Sequence, residues 1–196
     1  MNSNKYDDQY MMSLAQEMSK NNMVSYEEFP KYDLFLSQVI DYLNDKFTED
    51  KYTNNIVQNY VKSEVISKPE DGKKRGYTKV HLAQLVLLSY MRPVLTTEEI
   101  KKVFKLAFNE INVRTDDIIS WEDAYKIFSD IQKESFNELI TGPLLKDSKL
   151  DGIIKDLNLE EKDEERIKLF LQVISLIAQA SVIKKLVQRL VNEYNE

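Results

Sequence analysis

Apolar residues recur every three or four positions along most of this chain, the spacing that lines one face of an α-helix. Between Tyr32 and Phe47 the positions Leu34, Phe35, Leu36, Val39, Ile40, Leu43 and Phe47 predict a core helix, with Asp33 placed to cap its first turn. A shorter helix follows from about Thr53 to Lys62. Ile56, Val57, Tyr60 and Val61 are its apolar anchors, and Asn54, Asn55, Gln58, Asn59 and Lys62 make its outward face rich in carboxamides. The pattern then loses its helical period. Val65 and Ile66, Pro69, Gly72, the run Lys73-Lys74-Arg75 and Gly76 read as a short strand, a basic hairpin tip and a return strand reaching Tyr77.

Helical spacing resumes at Thr78, an N-cap for a helix carrying Val80, Leu82, Leu85, Val86, Leu87, Leu88, Tyr90 and Met91 and stopped by Pro93. So wide an apolar face predicts burial. Thr96 or Thr97 caps the next helix, with Glu99 as capping-box partner and Ile100, Val103, Phe104, Ala107 and Phe108 facing inward. A polar connection through Arg114, Asp116 and Asp117 leads to a helix from about Ser120 to Ile140, ended by Gly142-Pro143. After a loop around Asp147 to Gly152, an acidic start at Glu160 to Glu165 opens a long helix to about Tyr194. At the other end, Met11, Met12, Leu14, Ala15 and Met18 predict a short amphipathic helix near 7–20. With 4 Gly and 4 Pro in 196 residues there is little to interrupt helices, so the chain should be mostly α.

Charge changes this picture more than overall composition does. The net charge of −6 argues against indiscriminate binding to nucleic acid or to an anionic membrane. Yet residues 51–105 hold 11 Lys and Arg against 5 Asp and Glu, while 1–50 hold 4 against 10 and 106–196 hold 12 against 18. A basic middle therefore lies between acidic flanks. The lack of cysteine excludes disulfide frameworks and thiolate zinc sites and fits a reducing compartment. No secretory leader pattern opens the sequence, and the apolar stretch from Leu169 to Ile183 is too short and too polar to span a bilayer. A cytoplasmic protein with no membrane partner is the expectation.

Catalytic chemistry finds few candidates. A phosphate-cradling loop needs closely spaced glycines, and the sequence contains neither Gly-x-Gly nor Gly-x-x-x-x-Gly-Lys. His81, the single histidine, lies in the first turn of a predicted helix with no Gly-x-Ser-x-Gly nucleophile turn to serve, so a structural role is expected. The segment Asp147 to Asn158 mimics a calcium loop, but Lys149 and Asn158 stand where acidic ligands are needed. It is expected to be a helix-linking turn. No enzyme activity, cofactor or metal is anticipated.

Residues 53–79 suit a nucleic-acid groove instead. Carboxamides pair with adenine edges, and Lys73, Lys74, Arg75 and Lys79 can neutralise phosphates and make affinity depend on salt. The plainer alternative is a solvated helix face beside a charged loop.

The string NNIVQNYVKSEVISKP followed by GYTKVHLAQLVLLSYMRPVLTTEEIKKVF resembles the winged helix-turn-helix of MerR-type transcription regulators over roughly residues 53–105. Tyr60, Val65, Ile66, Pro69, Tyr77, Thr78, Leu82, Leu85, Thr97, Glu99, Ile100 and Lys101 carry the likeness. Gln58 stands where that pattern has Arg and Glu64 where it has Gly, and the region from Lys46 to Tyr52 is longer. With FPKYDLFLSQV, Phe29 to Val39, the region is also similar to the YkrK-like bacterial family of unknown function, over about 29–130.

These resemblances imply a mostly α fold in which a winged helix-turn-helix with a small β-hairpin wing spans 31–110. It would lie between an N-terminal segment, 1–30, and a C-terminal helical region, 111–196. They imply a sequence-specific DNA-binding transcriptional regulator. Asn54, Asn55, Gln58 and Asn59 would read base edges of double-stranded DNA, while Lys62, Lys73, Lys74, Arg75, Tyr77 and Lys79 would hold phosphates. The C-terminal helix carries more apolar surface than one solvent-facing helix needs, from Ile167 to Tyr194. It packs on 120–145, pairs with a second copy as a homodimer, or does both. The competing class is a non-enzymatic helical module that binds another protein and retains the winged-helix fold.

Overall fold

The computed structural model describes residues 24–48, 50–69 and 76–141 continuously, together with 9, 10, 12–14, 16 and 17 and scattered positions after 142 that include 183, 184 and 186–193. The protein is mostly helical. A 3-10 turn at Tyr26–Glu28 precedes α1 (Leu36–Lys46), α2 (Asn54–Lys62), α3 (Lys79–Met91), α4 (Thr97–Lys105) and α5 (Trp121–Thr141). Residues 9, 10, 12–14, 16 and 17 are helical, within the segment expected to form a short N-terminal helix. Gly142-Pro143, the calcium-like segment's Asp and Asn positions, and most of the stretch from Leu169 to Ile183 lie outside the described residues. Among the described residues no helix is long and apolar enough to cross a membrane.

Helix starts follow local chemistry. Thr53 caps α2, its hydroxyl accepting from the Ile56 amide at 3.3 Å. Thr96 and Glu99 close the predicted capping box on α4: the Thr96 amide donates to Glu99 Oε2 at 2.8 Å, and the Glu99 amide to Thr96 Oγ1 at 3.3 Å. The same Thr96 amide holds the Glu99 carboxyl below the usual carboxylate range, helped by the Thr96 hydroxyl and by Gln188 and Asn192. Ser120 caps α5 through the Asp123 amide at 3.0 Å.

The start of α1 departs from expectation. Asp33 does not cap it, because Leu34 is paired antiparallel with Tyr77 by backbone bonds of 2.8 and 3.2 Å. The helix begins beyond that pairing, with Gln38 Oε1 accepting from the Phe35 amide at 3.0 Å.

The chain divides into two compact units, Asn22–Ile131 with Gln188–Glu196, and Met1–Asn21 with Gln132–Val187. The first contains all of α1 to α4. Its axis is α3, buried nearly all round through Leu82, Ala83, Leu85, Val86 and Leu88. Helix α1 adds Val39 and Leu43, α2 adds Val57, and α4 adds Ile100 and Phe104. This unit is larger than the 31–110 read from the sequence. Val24, Tyr26 and Phe29 are buried before Pro30, and Trp121 and Tyr125 are buried after 110. Phe29 meets Tyr125 with ring centroids 4.9 Å apart, and the Tyr125 hydroxyl donates to the Val24 carbonyl at 2.8 Å. Trp121 stacks on Phe108 at 3.5 Å and sets its edge to Phe104 at 5.2 Å.

Tyr52 fixes the turn between α1 and α2. Asn44 on α1 receives the Tyr52 amide at 2.7 Å and donates to its carbonyl at 3.0 Å. The Tyr52 ring passes under the Arg92 guanidinium at 4.3 Å, and its hydroxyl reaches the Leu85 carbonyl at 3.1 Å and Ser89 Oγ at 2.9 Å. Burial pushes this phenol up to about 12, against the opposing effects of Ser89 and Arg92. Because the folded value lies above the unfolded one, the neutral phenol's contribution is complete below pH 10 and is lost as pH rises through 12. Urea denaturation from pH 9 to 12 is expected to show a fall of about 2 kcal/mol attributable to Tyr52. The slope should diminish in Tyr52→Phe; an unchanged slope in that variant contradicts the assignment.

Candidate nucleic-acid interface

Helix α2 has two sharply different sides. At 100° per residue, Asn54, Asn55, Gln58, Asn59 and Lys62 fall within an arc of about 140°, and Ile56, Val57, Tyr60 and Val61 occupy the opposite arc. The first five are all exposed, Val57 is fully buried, and the other three are half-buried. Helix α2 packs against α1. The sequence folds this way because the apolar arc has a core to join, while Thr53 and the Tyr52 anchor set where the helix begins. None of the four carboxamides makes a side-chain hydrogen bond among the described residues. Lys51 before the helix, Lys62 in its last turn and Lys68 beyond it are exposed cations, with Glu64 among them.

No strand follows α2 among the described residues. Val65 and Ile66 are both completely buried, so the side chains do not alternate between core and solvent as a strand's would. Their amides instead turn back to the Tyr60 carbonyl at 2.9 and 3.3 Å. Glu64 makes this turn possible with φ of 56°, in the left-handed region that glycine adopts without penalty and other residues at a cost of about 1 kcal/mol. The expected first strand is therefore a helix-terminating turn, and of the expected return strand the described residues show only the single Leu34–Tyr77 pairing.

Two buried side chains of α3 hold the segment leaving that turn. Gln84 Oε1 accepts from both the amide and the hydroxyl of Ser67, at 3.0 and 2.9 Å. His81 is completely buried; its Nδ1 lies 3.0 Å from the Thr78 amide and its Nε2 3.1 Å from the Lys68 carbonyl. An amide can only donate and a carbonyl can only accept, so the ring is neutral with its proton on Nε2. His81 thus fastens residues 68 and 78, on either side of the basic run. It is more deeply buried than a first-turn position suggests.

The remaining predicted site residues separate into groups. Lys73, Lys74 and Arg75 lie outside the described residues. Tyr77 is 7% exposed, its ring against His81 at 5.4 Å and its backbone paired with Leu34, so it belongs to the core rather than to the exposed face. Desolvation raises its phenol above the ordinary value. Lys79 is half-buried, with Nζ 3.4 Å from the Tyr26 carbonyl and 4.8 Å from that ring's centre. The structure therefore brings Asn54, Asn55, Gln58, Asn59 and Lys62 together and puts Tyr77 and Lys79 to other uses. Sequence reasoning missed Tyr52 and Asn44, which position α2 without belonging to its exposed face.

The fold and this surface define a mostly helical domain that presents one short, carboxamide-rich helix. The chain belongs to the family described as a domain of unknown function, DUF1836, whose model matches residues 24–128. That span agrees closely with the compact unit's main segment, Asn22–Ile131, and includes the buried residues on both sides of 31–110. No curated protein matches the chain, and no solved structure does.

Proposed function

We propose that this protein is a sequence-specific DNA-binding transcriptional regulator of the cytoplasm, non-enzymatic, with α2 as its reading helix. The observation that carries the reading is the exposed arc of Asn54, Asn55, Gln58, Asn59 and Lys62, whose carboxamides have no side-chain hydrogen bond among the described residues, on a helix fixed by its buried side. Carboxamides read base edges, and a lysine neutralises phosphate. The residue pattern of 53–105 and its likeness to MerR-type regulators support the same reading, as does the excess of 11 basic over 5 acidic residues in 51–105. The run Lys73-Lys74-Arg75 supplies further phosphate contacts under this proposal. Pairing of two copies would set two such helices at a fixed spacing on DNA.

A second reading has its own observation. Ile127 and Ile131, four residues apart on α5, are 50% and 57% exposed, an apolar pair suited to binding another protein. Retention on a duplex-DNA column separates the two. A regulator is retained at low salt despite its net charge of −6 and elutes as salt rises, whereas an interaction module flows through. Replacing Lys73, Lys74 and Arg75 together with alanine should lower the elution salt, and an unchanged elution removes these residues from the phosphate contacts.

A further inference from the structure

The reading edge of α2 is chemically uniform. Asn55, Gln58, Asn59 and Lys62 stand at intervals of three, four and seven residues, so they form one stripe about 10 Å long down the helix. At 3.4 Å per base step, that length matches about three consecutive base pairs. Asn54 lies at the edge of the arc, next to the helix start. There is no arginine on α2.

Each carboxamide offers one acceptor oxygen beside one donor nitrogen. Adenine presents the complementary pair in the major groove, the N7 acceptor beside the N6 amino donor. Guanine presents two acceptors, N7 and O6, which would leave the carboxamide oxygen facing another oxygen. Guanine is suited by arginine or lysine, and the stripe has only Lys62, at its far end. A serine, a threonine or a methyl group to favour thymine is also absent from the stripe.

From this we infer that α2 reads adenines: its target site contains at least two adenines within three consecutive base pairs, contacted through N6 and N7 by Asn55, Gln58 and Asn59. The inference rests on the DNA-binding reading and narrows it to one class of site. Among the described residues no hydrogen bond fixes the donor and acceptor sides of these carboxamides.

The test uses the full-length protein and a random duplex library, followed by anisotropy titration of the best duplex. Single adenines in that duplex are then replaced with 7-deazaadenine, which keeps Watson–Crick pairing and removes only the N7 acceptor. Loss of the N7 half of a bidentate contact should weaken binding about 2- to 10-fold at two or more positions within one three-pair window. Gln58→Ala, verified as folded by circular dichroism, should erase the 7-deazaadenine effect at one of these positions and leave the salt slope unchanged. A selected motif rich in G·C, or full affinity with 7-deazaadenine throughout, overturns adenine reading while DNA binding stands. Failure to enrich any sequence, with no salt-dependent binding, overturns both.

Discussion

Replacing Trp121 with alanine lowers the unfolding free energy by about 3–5 kcal/mol, the range for deleting a large buried aromatic side chain. Trp121 is 3% exposed and lies flat on Phe108, with an interplanar angle of 9° and centroids 3.5 Å apart, while Phe104 meets it edge-on. Stacked and edge-on pairs add about 0.5–1.5 kcal/mol beyond the burial of area. The cavity left at the start of α5 opens directly beneath α4. Trp121→Phe should cost clearly less, because a ring remains on Phe108. Urea denaturation followed by far-UV circular dichroism measures this, since Trp121 is the sole tryptophan and its fluorescence is lost in the variant. A loss below about 1 kcal/mol would mean that the domain ends near 110 and that α5 is an appendage.

Loss of the His81 ring acts through polar groups as well as volume. His81→Ala leaves the Thr78 amide and the Lys68 carbonyl without their ring partners and opens a void beside Tyr77. These bonds are part-buried and their loss costs about 1 kcal/mol, so with the cavity left by the completely buried ring a total loss of about 2–4 kcal/mol is expected. Location matters more than the sum. The amides of Tyr77 and Thr78 should exchange with solvent faster, because His81 fastens the chain on both sides of the 70–75 segment, whereas α2 keeps its Asn44 and Tyr52 anchors. Chemical denaturation with amide hydrogen exchange reads both effects. Unchanged protection at Tyr77 and Thr78 contradicts the fastening role.

Elements whose causes are local were legible in the sequence. Of the expected caps, Thr78 directly precedes α3 and Thr96 directly precedes α4, and the expected starts near Thr53 and Ser120 lie one residue before α2 and α5. The carboxamide face of α2 was equally legible, since helical spacing alone separates Asn54, Asn55, Gln58, Asn59 and Lys62 from Val57 and Val61. What escaped was decided by distant partners. Asp33 looks like a cap until Leu34 is seen to pair with Tyr77, and Val65-Ile66 looks like a strand until both side chains enter the core. Tyr77 and Lys79 carry the right chemistry for phosphate, yet His81 and Tyr26 occupy them. An aromatic immediately before an N-cap, here Tyr52 before Thr53, is well placed to fix a helix's entry.

That anchoring gives the exposed face its functional sense. A reading helix must keep its side chains in register with base edges, and here the helix start is held by Asn44, Arg92, Leu85 and Ser89 through a single tyrosine. Among the described residues, the carboxamides of that arc have no side-chain hydrogen bond.

The most direct test of DNA reading by α2 is selection of fragments from the source genome by the purified protein, with anisotropy titration of the best fragment at two salt concentrations. Enrichment of a shared motif, tighter binding at the lower salt, and loss of motif preference when Asn55 and Gln58 are both replaced with alanine are expected. Enrichment no better than random DNA, with affinity indifferent to salt, would contradict DNA reading by α2 and leave the exposed apolar pair on α5 as the better guide to what the protein binds.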